Sequence, residues 1–257
     1  MTTKQHKDFL IGNADQYQGI VEEDFAKLKA DLDEENKRKS SVVLTIFSLP
    51  GHRWRQFNND QKDDRIWRSF SYHEQSAQFW QDLAGRLKEH PAIISYNLIT
   101  ERYPETATGF PHFCTEDYYA GYSQVENTAA DINKLYDRIV KAIRTVDADK
   151  PIIVNIGLDP TPCAFLYMKP IQDDRVFYAF HLCELYQVTN QNGSVASEEK
   201  YMEKIVDKEM VQSLLKSIDE WAKEHNIPGS HILTNDFGLN RFVQSSDQYL
   251  LDCMYIL

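Results

Sequence analysis

Two carboxylates stand where chemistry could be done. The apolar run AIISYNLI, residues 92–99, stops at Thr100-Glu101, and the run HILTN, residues 231–235, stops at Asp236. A carboxylate at the tip of a covered strand is costly to desolvate unless it is paired or put to use. Two of them, far apart in sequence and each at a strand's C-terminal end, match the way barrel enzymes arrange paired-carboxylate chemistry. One carboxyl gives a proton to the leaving group; the other attacks the substrate or activates a water. Each has a plainer alternative. Glu101 can pair with its neighbour Arg102, and an Asp such as Asp236 suits a helix N-cap or an Asx turn.

His181 closes the run RVFYAFHL, residues 175–182. At a strand end it either joins a site or satisfies ordinary hydrogen bonds. Loop aromatics Trp54, Trp67, Tyr118, Tyr119 and Tyr122 offer flat rings that complement the C–H face of a sugar, or else pin long loops to a barrel rim. Cys183 reads as a small buried apolar residue, because no basic neighbour in sequence lowers its thiol pKa.

These groups need a scaffold, and the chain alternates strands with helices. Apolar residues at helical spacing predict helices over 19–38, 74–89, 128–146 and 207–225. Strands are predicted over 41–47, 92–99, 151–157, 175–182 and 231–235, the first a continuous β-branched run that suits a strand covered on both faces. A closing helix is expected from about Ser246. Strand–loop–helix alternation implies a parallel sheet with helical crossovers. Long loops after strands and short ones after helices fit a single TIM-type (β/α) barrel domain over 1–257, with its site at the strands' C-terminal face.

At 257 residues with 42% hydrophobic and 12% aromatic content, the chain can build a sizeable core. Its formal charge of −11 argues against nucleic acid or an anionic membrane as partner, since phosphate contacts need clustered Lys and Arg. The one basic run, Lys37-Arg38-Lys39, suits a helix C-terminus. Four cysteines, Cys114, Cys163, Cys183 and Cys253, show no CxxC pair and so no zinc pattern. The N-terminus MTTKQHKDFLIGN has no signal-peptide core, and no run approaches the roughly 20 apolar residues of a membrane span. A soluble chain of unspecified compartment is expected.

Five segments, in order, resemble glycoside hydrolase family 5, the cellulase-like (β/α)8 barrels. VVLTIFSLPG resembles the third strand and its PG turn, and FWQDLAGRLKEHPAIISYNLITERYPE the helix and fourth strand ending in Asn-Glu-Pro. IRTVDADKPIIVNI resembles the fifth unit, VFYAFHLCELYQVTNQ the sixth with its His-x-Tyr, and ILTNDFGLNRF the seventh with Gly-Glu-Phe-Gly. The resemblance implies Glu101 as general acid/base and Asp236 as nucleophile. It implies substrate contacts for His181 and for Thr100, which stands where the family's amide meets the sugar's 2-hydroxyl. It implies a β-linked glycan ligand and no metal or cofactor.

The departures matter as much. Asp236 replaces a Glu, Thr100 an Asn, Phe47 a His, Arg102 a Pro and Cys183 a Tyr. Nothing before residue 20 or after Leu257 matches the family's first two strands or its eighth. Two readings therefore stand: a β-glycosidase, or a catalytically impaired barrel that binds a glycan or a protein partner without hydrolysis. The shortage of strands further implies a fragment, a processed piece, or an atypical barrel closed by its terminal segments or by a partner.

Overall fold

The computed structural model describes residues 7–53, 55, 58–100, 104, 122–156, 165, 167–182, 208–237, 250–251 and 254. A short antiparallel pair comes first, β1 (Lys7–Asp8) with β2 (Gly12–Asn13); two-residue strands are too short to carry a periodic pattern. Then follow α1 (Glu22–Lys37), β3 (Val42–Thr45), α2 (Phe70–Leu87) and β4 (Ile93–Asn97). The chain continues through α3 (Ile132–Arg144), β5 (Ile152–Asn155), β6 (Val176–Leu182), α4 (Lys208–Glu224) and β7 (Ile232–Phe237).

Strands β3 to β7 form one parallel sheet in sequential order, β3-β4-β5-β6-β7. Sequential parallel order, with a helix in the crossovers, is the winding of a (β/α) barrel. The sheet is curled. Asn235 on β7 donates through Nδ2 to Asn155 Oδ1 on β5 at 2.7 Å, across the intervening β6. Alternate strands of a flat sheet lie about 9–10 Å apart with parallel side chains, so the contact requires a concave face. The architecture is that of an incomplete TIM-type barrel, with five parallel strands among the described residues.

Helices α2, α3 and α4 each bury one stripe against the sheet. On α2, Phe79, Trp80, Leu83 and Leu87 are buried, and Trp80 Nε1 donates to Leu98 O at 3.0 Å just beyond β4. On α3, Leu135, Tyr136, Ile139 and Ile143 are buried. On α4, Trp221 packs against Tyr178 and Phe165, with ring centroids 4.9 and 5.1 Å away, and its Nε1 donates to Met168 O. Such fully buried aromatics dominate the core's apolar transfer energy.

Helix ends explain where the elements begin and stop. The first turn of α1 carries Glu22, Glu23 and Asp24, and Lys37 lies in its last turn, both favourable to the helix dipole. Lys39 follows with φ 60° and turns the chain toward β3. Helix α2 begins at Phe70, earlier than hydrophobic spacing alone suggests, because Ser69 Oγ accepts the Ser71 N–H. Asp131 caps α3 through the Asn133 N–H at 3.0 Å. The helix expected from Ser246 is described only at Leu250, Leu251 and Met254, which are helical.

Two polar groups hold the scaffold from opposite ends. At the strands' N-terminal face, Arg144 pairs with Asp173 at 2.5 Å and donates to the carbonyls of Asp147 and Lys150. Burial pushes the Asp173 carboxyl up, but the Arg144 hydrogen bonds and the Arg175 N–H outweigh it and hold the group below its ordinary range. The pair is largely withdrawn from solvent, so removing one partner leaves the other poorly compensated. Arg144→Met is therefore expected to cost on the order of 3 kcal/mol in urea unfolding, with no change in any ligand affinity, since this face lies opposite the candidate site.

The second group is His73, fully buried on α2. Its Nε2 lies 3.1 Å from Ile66 O and 3.0 Å from Ala129 O, which fixes the proton on Nε2. It thereby ties the chain that follows β3 to the chain that enters α3. Nδ1 has no partner among the described residues, so a second proton there has no acceptor. Burial pushes the imidazole down to about 4 from an ordinary 6.5. The folded state thus resists a proton that the unfolded chain accepts, and stability falls as pH drops from about 6.5 toward 4. The full effect is on the order of 3 kcal/mol. His73→Gln keeps a donor and is expected to flatten this part of the acid slope, read from urea midpoints at about pH 7 and about pH 4.5.

The sheet's first edge is apolar. Val43 on β3, Phe47 just beyond it and Ile94 on β4 are 42%, 42% and 49% exposed. A register shift between Val42 and Val43 leaves Ile94 without a counterpart on β3.

Candidate active site

The strand ends on the concave face bring polar side chains together. On β6, Tyr178 and Phe180 face outward, the first against Trp221 and the second against Phe165. Strand alternation therefore turns Phe177, Ala179 and His181 inward. His181 is buried and pairs in register with Asp236 on β7. Its Nδ1 lies 4.0 Å from Asp236 Oδ2, the outer limit of an ion pair, and the Asp236 side chain is 58% exposed.

A bulge makes that meeting possible. Phe180 pairs with Thr234, but His181 pairs with Asp236, so Asn235 is the extra residue on β7. Bulges at strand ends re-aim side chains. Here Asn235 reaches Asn155 across β6 while the next residue, Asp236, stays within range of His181. The strand continues to Phe237, so Asp236 is extended backbone and not the N-cap that its residue type also allowed.

Asn155 is the centre of an amide relay, buried at Asn97 and Asn155 and exposed at Asn235. Its Nδ2 donates to Asn97 Oδ1 at 2.6 Å and to Ile99 O at 3.1 Å, while its Oδ1 accepts from Asn235. The contact with a backbone carbonyl fixes which end of the amide carries the hydrogens. From the convex side, Tyr136 OH donates to Asn155 O at 2.5 Å. The relay links β4, β5 and β7 directly beneath the strand tips.

Thr100 is buried, and its N–H donates to Ile46 O at 3.1 Å, so pairing of the third and fourth strands runs to the residue before Glu101. Glu101, Trp54, Tyr118 and Tyr119 lie outside the described residues, as do Arg102 and the four cysteines. Two other aromatics are built into the structure. Trp67 is 3% exposed, so it is core and offers no face to a sugar. Tyr122 donates to Asp131 Oδ1 at 3.0 Å and packs against Tyr167 with the rings tilted, pinning the end of its loop. Among the described residues no group of three His, Cys, Asp or Glu side chains is placed to hold a metal ion, and no helix is long and apolar enough to cross a membrane.

The relay asparagines went unnoticed in the sequence. Asn97, Asn155 and Asn235 each sit at or near the end of a β-prone run, where asparagine is disfavoured. That shared misfit at three corresponding strand ends was the available signal.

A parallel, curled sheet with polar groups converging at its C-terminal rim defines a (β/α)-barrel scaffold with its candidate site at the strand ends. The cellulase family model, glycosyl hydrolase family 5, matches residues 10–254. The chain belongs to that family. Comparison with curated proteins returns no match. Among solved structures, an endoglucanase of the hyperthermophile Thermotoga maritima superposes with a TM-score of 0.65 at 17% identity, covering 93% of this chain and 68% of its own. Subunit Z of the clostridial cellulose synthase from Clostridioides difficile gives 0.65 at 16%, covering 93% and 70%. A Pseudomonas stutzeri endoglucanase gives 0.64 at 17%, covering 93% and 64%. The chain thus spans about two thirds of the length of these structures. The Thermotoga maritima protein is known in complexes with cellobiose and with mannotriose.

Proposed function

We propose that this chain is a β-glycosidase acting on glucan- or mannan-type chains as a single barrel domain. Glu101 is the general acid/base, and Asp236 is the nucleophile or the base toward water. The observation that carries this reading is the convergence of Asp236 and His181 on the rim of the lumen whose opposite wall is β4, the strand that leads into Thr100-Glu101. Family membership supports the same two positions. Cellobiose and mannotriose, bound by a structural neighbour, indicate the ligand class. Trp54, Tyr118 and Tyr119 are the proposed stacking residues, and His181 and Thr100 the proposed polar contacts. No step requires a metal or cofactor, because proton transfer and displacement at the anomeric carbon use only the two carboxyls.

The spacing of those carboxyls selects the stereochemistry: about 5–5.5 Å for a covalent intermediate, roughly 6.5–9.5 Å where water must enter. Asp is one methylene shorter than Glu, which favours the wider gap. The test is incubation with cello- and manno-oligosaccharides, followed by product analysis and by proton NMR of the first-formed anomer. Absence of turnover on every β-glycan would defeat the proposal.

A second reading draws on the exposure of Asp236, 58%. With its carboxylate short and solvated, the barrel binds a glycan without cleaving it, or binds a polypeptide at the apolar edge formed by Val43, Phe47 and Ile94. Calorimetric binding of cellohexaose without product release supports the glycan form of this reading.

A further inference from the structure

We propose that Asn155 is the spacer that sets the separation of the two rim segments carrying Glu101 and Asp236, and so is a positioning residue for the pair. The inference rests on the assignment of those two carboxyls as the working pair. Three observations carry it. First, Asn155 is 3% exposed, and every polar atom of its side chain is engaged with the two strands in question. Its Nδ2 holds β4 through Asn97 Oδ1 and through Ile99 O, two residues before Glu101. Its Oδ1 holds β7 through Asn235, the residue before Asp236.

Second, the intervening strand leaves room for this span. Ala179 pairs in register with Asn155 and lies inward, between β5 and β7. A methyl group there lets the two amides meet; a branched side chain would stand in the gap. Third, the spacer is itself anchored, because Tyr136 on α3 holds the Asn155 carbonyl from the convex side. A rigid amide between two strand tips fixes their distance in the way that pre-organised supports fix catalytic groups. A shift of about 1 Å at such a site costs about 10²-fold in rate.

The test uses the full chain. Crystal structures of wild type and Asn155→Ala are compared for the Asn97–Asn235 Cα separation. Turnover of a cello-oligosaccharide is measured for Asn155→Ala, Asn235→Ala and the double variant. The expected result is a rim separation increased by about 1 Å and kcat lowered about 10²-fold with KM changed less. The double variant should be no slower than the slower single one, because both substitutions break one bridge. Unchanged separation in Asn155→Ala, or fully additive kinetic losses, overturns the proposal. If Asn155→Ala does not fold, Asn235→Ala, altered at an exposed position, carries both measurements. If wild type shows no turnover, the glycosidase reading fails, and the crystallographic separation alone decides whether Asn155 is the spacer.

Discussion

Replacing Asp236 with Asn, or Glu101 with Gln, is expected to lower glycan hydrolysis by about 10³-fold or more, to the floor of a sensitive reducing-sugar assay. Both changes keep the side chain's volume and remove only its ability to ionise or to donate a proton. Asp236 is well exposed and its nearest described partner is His181 at 4.0 Å, so Asp236→Asn leaves the fold intact. Its melting temperature should match wild type within about a degree, as for other surface substitutions. Two further measurements separate loss of chemistry from loss of binding. Cellohexaose affinity should survive both substitutions, because the carboxyls act on the transition state more than on the ground state. Azide added to Asp236→Ala, which leaves the carboxylate's space empty, should restore some cleavage.

The second large effect runs in the opposite direction. Asp236→Glu is expected to raise kcat by about 10²-fold, because the extra methylene returns about 1 Å of reach toward the anomeric carbon. The local geometry permits the extension, because 58% of the Asp236 side chain is exposed. The longer side chain also lets a covalent glycosyl intermediate form. The first-formed anomer should then be the retained one, whatever wild type yields. A drop in kcat for Asp236→Glu means the backbone already compensates for the shorter acid, and the wider-gap account of wild type is wrong.

The fold was largely legible because its signals are local. Runs such as PIIVNIG and RVFYAFHL are too apolar for one-sided strands, and helices between them leave parallel order as the economical arrangement. Boundaries depended on single polar atoms. The Ser69 hydroxyl starts α2 at Phe70, where spacing alone suggested residue 74. The short β1–β2 ribbon is held by chain geometry rather than by pattern, with Leu10 at φ 68° between its strands.

The candidate site was legible only in part. Asp236 and His181 were readable as strand-end polar residues, and the structure sets them across from one another. What joins them to β4 was not readable. The bulge at Asn235 depends on pairing between β6 and β7, and the Asn155 relay depends on curvature that brings β5 and β7 together over Ala179. Both are long-range consequences of closing a sheet, which no window of neighbouring residues contains. Trp67 shows the converse limit. A loop tryptophan can serve a ligand or a core, and here the packing of α2 and the preceding turn buries it.

The most direct test of the paired-carboxylate account is one time course. Cellopentaose and mannopentaose are incubated with wild type, Glu101→Gln and Asp236→Asn, and products are followed by proton NMR from the first minutes. The account predicts cleavage of a β-linkage by wild type, a single first-formed anomer, and no cleavage by either variant. Cleavage that persists unchanged in both variants, or its absence in all three proteins, contradicts it.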